Sequence, residues 1–281
     1  MIKIRWLGCA GYILDLDGTK IMFDPFFYRQ TNENTRPVLK TKREDIKDII
    51  SAIFITHGHF DHITDAGWFA EFRNIPVYSS KVARENIIKW AQGRIFREHG
   101  HELTDKGKSN LHIVQEEEIV KINENLSVEV IKSAHIKFDD ETIQWRLKNR
   151  EFRKQMKNLT PLIKELPQGR VFAYCIHYKD KKIVTYGSLY EKFKDTYRKF
   201  KDCHIFIPPL AGNSAQNMAK VADVMVEILK PKIIIPTHGD DFWPPISRFE
   251  DLGPFNQLME EKYPNIRIVN LEIDNEMVIE L

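Results

Sequence analysis

The apolar run AIFI leads directly into the polar stretch THGHFDH, residues 56–62. In extended backbone, His57 and His59 lie two residues apart and project to the same side. The chain then turns, so that Asp61 and His62, at the start of a following helix, can face a second point nearby. Imidazole nitrogen and carboxylate oxygen form a ligand set that suits zinc, iron or manganese. This density of ligands predicts a metal site at the carboxyl end of a buried strand.

The sequence on either side of this stretch alternates between strands and helices. YILDL and KIMFD flank the pair Asp17–Gly18, which is a strong hairpin signal. Further on, FAYCIHYKDKKIVTYGS again reads as strand, turn and strand, and PKIIIPTHGDD is a second apolar strand that ends in a histidine. The alternation predicts an α/β layered fold, and the repetition predicts two related halves.

No linker rich in Gly, Ser or Pro separates the two halves, so we expect a single domain over residues 1–281. A helix running from about Glu141 to Leu166 would form an insertion in that domain. It contains the segment RLKNREFRKQMK, residues 146–157, which has six basic residues and one acidic residue. This segment is either a solvated helix face or a rim that attracts an anion beside the site.

Two further histidines stand where an apolar strand meets a loop. His135 follows VEVIKSA and His238 follows IIIPT, and such strand ends are where α/β proteins commonly build their sites. A zinc-like ion needs at least three protein ligands, so other parts of the chain must complete the site that His57 and His59 begin. His135 and His238 are therefore the candidates for completing it.

Composition narrows the range of partners. The chain has 281 residues and a formal net charge of only +2, which disfavours a nucleic-acid partner. It begins MIKIRWLGCA, without the apolar segment of a signal peptide, and no stretch approaches the roughly 20 apolar residues of a membrane span. Three cysteines without a CxxC pair predict reduced thiols. We expect a cytoplasmic protein with a small-molecule substrate, and formation of a homo-oligomer is left open.

The order of these motifs resembles a known family. HxHxDH, followed by the strand-end histidines His135 and His238, looks like the metallo-β-lactamase superfamily. More narrowly, WLGCAGYIL, FDPF and the closing PTHG resemble the branch that contains L-ascorbate-6-phosphate lactonase and related metal-dependent hydrolases. The resemblance implies a four-layered αβ/βα sandwich with two related halves and with metals at the sheet edges between them.

The resemblance also implies two sets of ligands, one for each of two ions. These are His57, His59 and His135 for the first ion, and Asp61, His62 and His238 for the second. The family normally adds a bridging aspartate in a Gly-Asp-Thr motif, but this chain has TYGSLY there, with Ser188 at the aspartate position. Because a hydroxyl is a poor replacement for a bridging carboxylate, we expect one or two zinc ions per chain, with manganese or iron as alternatives.

Several other residues are candidates around the ions. Asp61 could orient a metal-bound hydroxide and later carry a proton to the leaving group. Asp24 either holds a ligand histidine or is a turn residue before Pro25. Ser188, Asn213 and Trp243 are candidates for contacts to the substrate or to the ligands.

These residues predict a metal-dependent hydrolase that opens an ester, lactone or phosphodiester of a small anionic substrate through a metal-bound hydroxide. An alternative enzymatic function is that of a ribonuclease or lipid phosphodiesterase, because the metallo-β-lactamase superfamily includes both. A third alternative is a member that binds a metal or ligand without turnover, and Ser188 is the feature that favours it.

Overall fold

A computed structural model of the chain describes residues 1–27, 39–47, 49–95, 97, 100–241 and 248–280. Within these ranges the strands form two seven-stranded sheets and a two-stranded ribbon. The first sheet has the order β16-β1-β2-β3-β4-β5-β6. Its strands are β1 (Ile2–Trp6), β2 (Tyr12–Leu16), β3 (Thr19–Phe23), β4 (Ile50–Phe54), β5 (Val77–Ser79), β6 (Leu111–Ile113) and β16 (Glu276–Ile279).

The second sheet has the order β15-β12-β11-β10-β9-β8-β7. Its strands are β7 (Ile119–Lys121), β8 (Leu126–Ser133), β9 (Val171–Tyr178), β10 (Lys181–Tyr186), β11 (Ile205–Ile207), β12 (Ile233–Ile234) and β15 (Arg267–Ile268). The ribbon pairs β13 (Asp240–Asp241) with β14 (Arg248–Phe249).

The two sheets share one plan. In the first, β1 to β3 are antiparallel and β3 to β6 run parallel; in the second, β7 to β10 are antiparallel and β10, β11, β12 and β15 run parallel. The hairpin between β2 and β3 turns at Asp17 and Gly18, whose φ values of 52° and 88° suit a type I′ turn. The predicted hairpin and the predicted repetition of the two halves therefore agree with the observed topology.

Helices cover the outer faces of the sheets. The α-helices are α1 (Phe60–Ile63), α2 (Ala66–Phe72), α3 (Lys81–Ala91), α4 (Asp105–Ser109), α5 (Asp140–Lys148), α6 (Arg150–Glu165), α7 (Ala215–Leu229) and α8 (Gly253–Lys262). Short 3-10 helices lie at Arg43–Asp45 and Glu191–Phe200. Among the helices in the described ranges, none combines the length and apolar character needed to cross a bilayer.

Three apolar cores separate four layers. The central core lies between the sheets and includes Tyr12, Phe54 and Tyr174. A second core joins the first sheet to α2 and α3, and a third joins the second sheet to α7 and α8. Successive residues of β2 belong to different cores, since Ile13 faces the helices while Tyr12 faces the other sheet. The predicted four-layered αβ/βα fold is thus confirmed.

The range 141–166 differs from its prediction as one helix. Asn149 between α5 and α6 has φ −74° and ψ 110°, which is extended backbone. Its side-chain oxygen accepts a hydrogen bond of 3.0 Å from the backbone N–H of Phe152 and so caps α6. The chain therefore forms two helices, α5 and α6, separated by the extended residue Asn149.

Candidate metal centre

The candidate ligands follow the ends of strands from both sheets. His57 comes after β4, His135 after β8 and Ser188 after β10. His238 follows an isolated bridge between Thr237 and Pro209, which continues the parallel edge of the second sheet. Because these strand ends meet at one edge of the sandwich, residues far apart in sequence come together there.

Gly187 and Thr56 bring the two sheets close at this edge. A Cβ atom added to Gly187 would lie only 1.8 Å from the Thr56 side-chain oxygen, so only glycine allows this approach. The backbone N–H of Phe172, at the start of β9, donates a 2.8 Å hydrogen bond to the Thr56 carbonyl. The stretch after β4 is therefore held directly against the second sheet.

The first predicted ligand set is together. His57 Nε2 lies 3.1 Å from His59 Nδ1, and the His135 ring centroid lies 5.2 Å and 4.7 Å from the centroids of these two rings. One nitrogen from each of the three lies within 4.8 Å of the others. Two nitrogens bound tetrahedrally at the usual zinc distance are about 3.3 Å apart, so the donor set fits such an ion.

The second predicted set is also together, beside the first. Asp61 Oδ2 lies 3.2 Å from His62 Nε2 and 3.7 Å from His238 Nε2. The ring centroids of His57 and His62 are 3.9 Å apart, so the two sets adjoin. Each set presents three donors that fit a divalent ion.

Oxygen atoms behind the rings select which nitrogen faces the centre. The Nδ1 of His135 lies 2.9 Å from the carbonyl oxygen of Ile136, so Nδ1 donates there and Nε2 keeps its lone pair. The Nδ1 of His57 lies 3.1 Å from the Thr56 hydroxyl oxygen, which leaves its Nε2 facing His59 in the same way.

Asp24 is the acceptor behind His62. Its carboxylate is fully buried and lies 2.8 Å from His62 Nδ1. It also accepts hydrogen bonds from the Thr56 backbone N–H, at 2.8 Å, and from the Thr56 hydroxyl, at 2.7 Å. Of the two roles that the sequence left open for Asp24, the geometry matches the one that orients a histidine.

Burial and charge set the protonation of the ligands. Burial lowers the pKa of His57 well below its usual range and that of His59 to about 4, so both rings are neutral and have a free lone pair. Burial acts to raise the pKa of Asp61, but His62 and His238 hold it well below its usual range. Burial likewise opposes a charge on His62, yet Asp61 and Asp24 raise its pKa to about 10. A metal ion at the second set would displace that proton.

A third cluster was not predicted. Cys9, His238 and Asp240 each offer one ligand atom, and these atoms lie within 4.8 Å of one another. Asp240 accepts hydrogen bonds of 2.8 Å and 3.0 Å from the Cys9 backbone N–H, and its Oδ1 lies 3.7 Å from His238 Nδ1. The Cys9 thiol is buried in the second core and also borders the site.

Three residues of the site have positive φ without being glycine. The values are 47° for Cys9, 40° for Asp24 and 54° for His238. Such conformations are uncommon for residues other than glycine. They persist only where the surrounding structure holds them, which is often at functional sites. Seven other non-glycine residues of the described chain also have positive φ, so this conformation alone does not mark the site.

The remaining candidates have different surroundings. Ser188 is buried, and its hydroxyl oxygen accepts a 2.8 Å hydrogen bond from the backbone N–H of Ile136, next to His135. Asn213 is also buried: it accepts from the Asp139 N–H at 2.9 Å and donates to the Lys137 carbonyl at 3.0 Å. Asn213 therefore holds the loop before α5, and neither of these hydrogen bonds involves a candidate metal ligand. Trp243 lies outside the described residues.

The histidines open into a cavity of about 410 Å³. Both ligand sets and Ser188 line it, together with side chains of α5 and α6. Of the basic segment, Arg146 lines this cavity, whereas the exposed residues Arg150, Arg153 and Lys154 do not. A cavity of this size lies within the roughly 300–1,000 Å³ typical of small-molecule sites.

Known proteins share this fold. The family model described as "Beta-lactamase superfamily domain" matches residues 3–238. The chain belongs to this family, and the resemblance to the metallo-β-lactamase superfamily is confirmed.

Individual relatives agree with that assignment. A UPF0173 metal-dependent hydrolase of Pyrococcus abyssi is 24% identical over 264 residues, which cover 93% of this chain and 94% of that protein. A UPF0173 metal-dependent hydrolase of Azorhizobium caulinodans is 41% identical over 64 residues, only 23% of this chain and 25% of that protein. Among solved structures, Igni18, a metallo hydrolase from Ignicoccus hospitalis, has a TM-score of 0.65 at 16% identity, covering 100% of this chain and 99% of that chain. The last likeness concerns the fold alone.

Proposed function

We propose that this protein is a metal-dependent hydrolase of carboxylic esters or lactones. The observation that carries the proposal is the pair of adjacent three-donor sets facing one cavity. The names of the full-length relatives, as metal-dependent hydrolases, support the same class. Because five of the six donors are imidazoles and one is a carboxylate, zinc is the ion we expect, with manganese and iron as alternatives.

The protein contributes binding, orientation and proton handling. His57, His59 and His135 hold one ion, and the acceptors behind His57 and His135 keep their binding nitrogens free. When bound, divalent ions lower the pKa of coordinated water toward about 7 and polarise the oxygen of the substrate. Asp61 faces the same cavity, ionised between His62 and His238, and is placed to orient the attacking water and pass a proton to the leaving group.

Ser188 bears on the number of ions. A bridging carboxylate would offset charge between two dications, and a hydroxyl that already accepts the Ile136 N–H supplies no negative charge. We therefore propose that the second ion binds more weakly than the first. The substitution Ser188→Asp should tighten the second site, measured as the second step of a zinc titration.

The proposal is tested by metal content and by turnover. Elemental mass spectrometry on protein purified without a chelator or a metal-binding tag gives the number and identity of the ions. Hydrolysis of γ-butyrolactone and of bis-p-nitrophenyl phosphate, with added zinc or manganese, then separates carbonyl from phosphoryl chemistry. Turnover of the lactone that is lost on chelation and restored by zinc supports the proposal. Bound metal with turnover of the phosphodiester alone would favour the phosphodiesterase alternative, and bound metal without any turnover would favour the binding protein.

We also propose that the protein works in the cytoplasm. Cys9, Cys175 and Cys203 are all buried free thiols, which suits a reducing cytoplasm.

A further inference from the structure

The cavity beside the histidines has a wall of hydrocarbon side chains. Ile143 and Leu147 on α5, four residues apart, face it, as do Leu162 and Ile163 on α6 and Leu166 directly after that helix. Residues spaced by three or four along a helix lie on one face, so each helix presents an apolar stripe to the cavity. The wall therefore begins at the ligands and continues along both helices.

The solvent exposure of these side chains increases from the buried end of the wall, its base, to the end that faces solvent, its mouth. Leu162 and Leu166 are buried, at 6% and 1% of their surface. Ile143, Leu147 and Ile163 remain 41%, 63% and 48% exposed, although all three line the cavity. An apolar patch that surrounds an opening marks a place where an apolar group is received, because its burial there removes hydrocarbon from water on both sides.

The charges at this wall do not suit a strongly anionic group. Arg146 is the one lysine or arginine among the described residues that line the cavity. Its guanidinium carbon lies 4.3 Å from the ring centre of Phe138 and 5.3 Å from that of Phe152, so it is held against aromatic faces as part of the wall. The other described basic side chains of the segment, including Arg153 and Lys154, are exposed away from the cavity.

We propose that the substrate carries a hydrocarbon chain beside its ester or lactone group, and that α5 and α6 bind this chain. The scissile carbonyl would lie at the ligand sets and the chain along Ile143, Leu147 and Ile163. This inference rests on the proposed hydrolase function. It replaces the expectation of a small anionic substrate with a neutral, apolar one of medium length.

A series of lactones with one ring and different chains tests the inference. For the zinc-loaded protein, kcat/KM is compared between γ-butyrolactone and γ-decalactone, which differ by a hexyl chain. Each fully buried methylene is worth about fourfold, so burial of half of this chain gives roughly 60-fold. Equal kcat/KM values for the two lactones would overturn the inference while leaving the hydrolase function intact.

Two substitutions at the mouth locate the effect. Leu147 and Ile163 are 63% and 48% exposed, so the double variant Leu147→Asp/Ile163→Asp should fold, which an unchanged Tm verifies. For this variant, the ratio of kcat/KM for γ-decalactone to kcat/KM for γ-butyrolactone should fall by about tenfold or more. The matched control is Ile119→Asp, which changes an equally exposed apolar residue on β7, away from the cavity, and should change neither rate. A chain-length advantage that survives in the double variant would overturn the proposed wall.

A binding measurement keeps the inference separate from catalysis. Octanamide and acetamide are neutral and share one head group, and their binding to the zinc-loaded protein is measured by titration calorimetry. Tighter binding of octanamide by wild type, lost in Leu147→Asp/Ile163→Asp, supports the apolar wall even if no lactone is hydrolysed. Equal or undetectable binding of both amides would reject the wall, whatever the catalytic result.

Discussion

The substitution Asp24→Asn tests how a buried carboxylate prepares a histidine for metal binding. The change keeps the size of the side chain but replaces one carboxylate oxygen with an NH2 group. Asp24 Oδ2 is the atom that faces His62 Nδ1, at 2.8 Å, and Oδ1 is the atom that accepts from the Thr56 N–H. If the amide oxygen keeps the Thr56 bond, its NH2 group faces His62.

Replacing the acceptor that faces His62 with a donor changes the tautomer of His62. An NH2 group requires Nδ1 of His62 to accept, so the ring proton moves to Nε2, which is the nitrogen that lies 3.2 Å from Asp61. A protonated Nε2 has no lone pair for a metal. We expect a loss of roughly 10- to 100-fold in affinity for the second ion, the usual effect of losing such a partner.

Stability should also fall, for a separate reason. The fully buried carboxylate of Asp24 accepts from Thr56 and His62, and hydrogen bonds to charged groups contribute roughly 1.5–3 kcal/mol each. With part of this bonding retained by the amide, a loss of about 2–4 kcal/mol in the free energy of unfolding is expected. Urea unfolding of the metal-free protein measures this loss without any contribution from ion binding.

The control is Asp65→Asn, which changes a second buried carboxylate nearby. Asp65 accepts from the Phe27 N–H at 2.7 Å and from Arg43 at 3.0 Å. It should lose stability on substitution but bind both ions with wild-type affinity in competition with a chromogenic chelator. If Asp24→Asn also keeps wild-type affinity for both ions, the reasoning about the His62 tautomer is refuted and Asp24 has only a structural role.

Three other outcomes follow from the site. Asp61→Asn should abolish turnover while the metal-free protein loses less than about 3 kcal/mol of stability, and wild-type activity would contradict its proposed role. Gly187→Ala should sharply destabilise the fold, because the added Cβ would collide with Thr56; an unchanged Tm would contradict the close approach of the sheets. The pKa of His59 falls from about 6.5 unfolded to about 4 folded, so the unfolded chain binds the extra proton between these values. The metal-free protein should therefore lose up to about 3 kcal/mol of stability from this residue as pH falls from 6.5 to 4, and a flat profile of unfolding free energy in urea would contradict it.

Much of the site was predictable because its signal is local. Residues 57–62 hold four donors in one short stretch, and the strand geometry places His57 and His59 on one side without any knowledge of the rest of the chain. His135 and His238 could be proposed because each ends an apolar strand. Their meeting with the first stretch depended on the family resemblance, since no local rule states which strand ends will be neighbours.

Other features had no readable signal. Asp24 before a proline is equally consistent with a turn, and only its 2.8 Å contact with His62 distinguishes the two roles. Asp240 had no signal in the sequence, because the Cys9 backbone N–H that donates to it lies near the opposite end of the chain. The sequence predicted one helix through Asn149 because no proline or glycine adjoins this residue, although asparagine favours helix caps, and its capping hydrogen bond is evident only in the fold.

The layered α/β class and the candidate ligands could be predicted from local patterns in the sequence. Strand and helix periodicities are local properties, and a dense run of donors is chemically distinctive wherever it lies. The tertiary structure alone decided what surrounds those ligands. Between residues 141 and 166, basic and apolar side chains alternate in the sequence, and the packing of two helices turns Leu147 toward the cavity and Arg153 toward solvent. The basic residues in this segment favoured an anionic substrate, whereas the described side chains that α5 and α6 present to the cavity are largely apolar, because a binding wall is formed by the side chains that face inward and not by the composition of the segment.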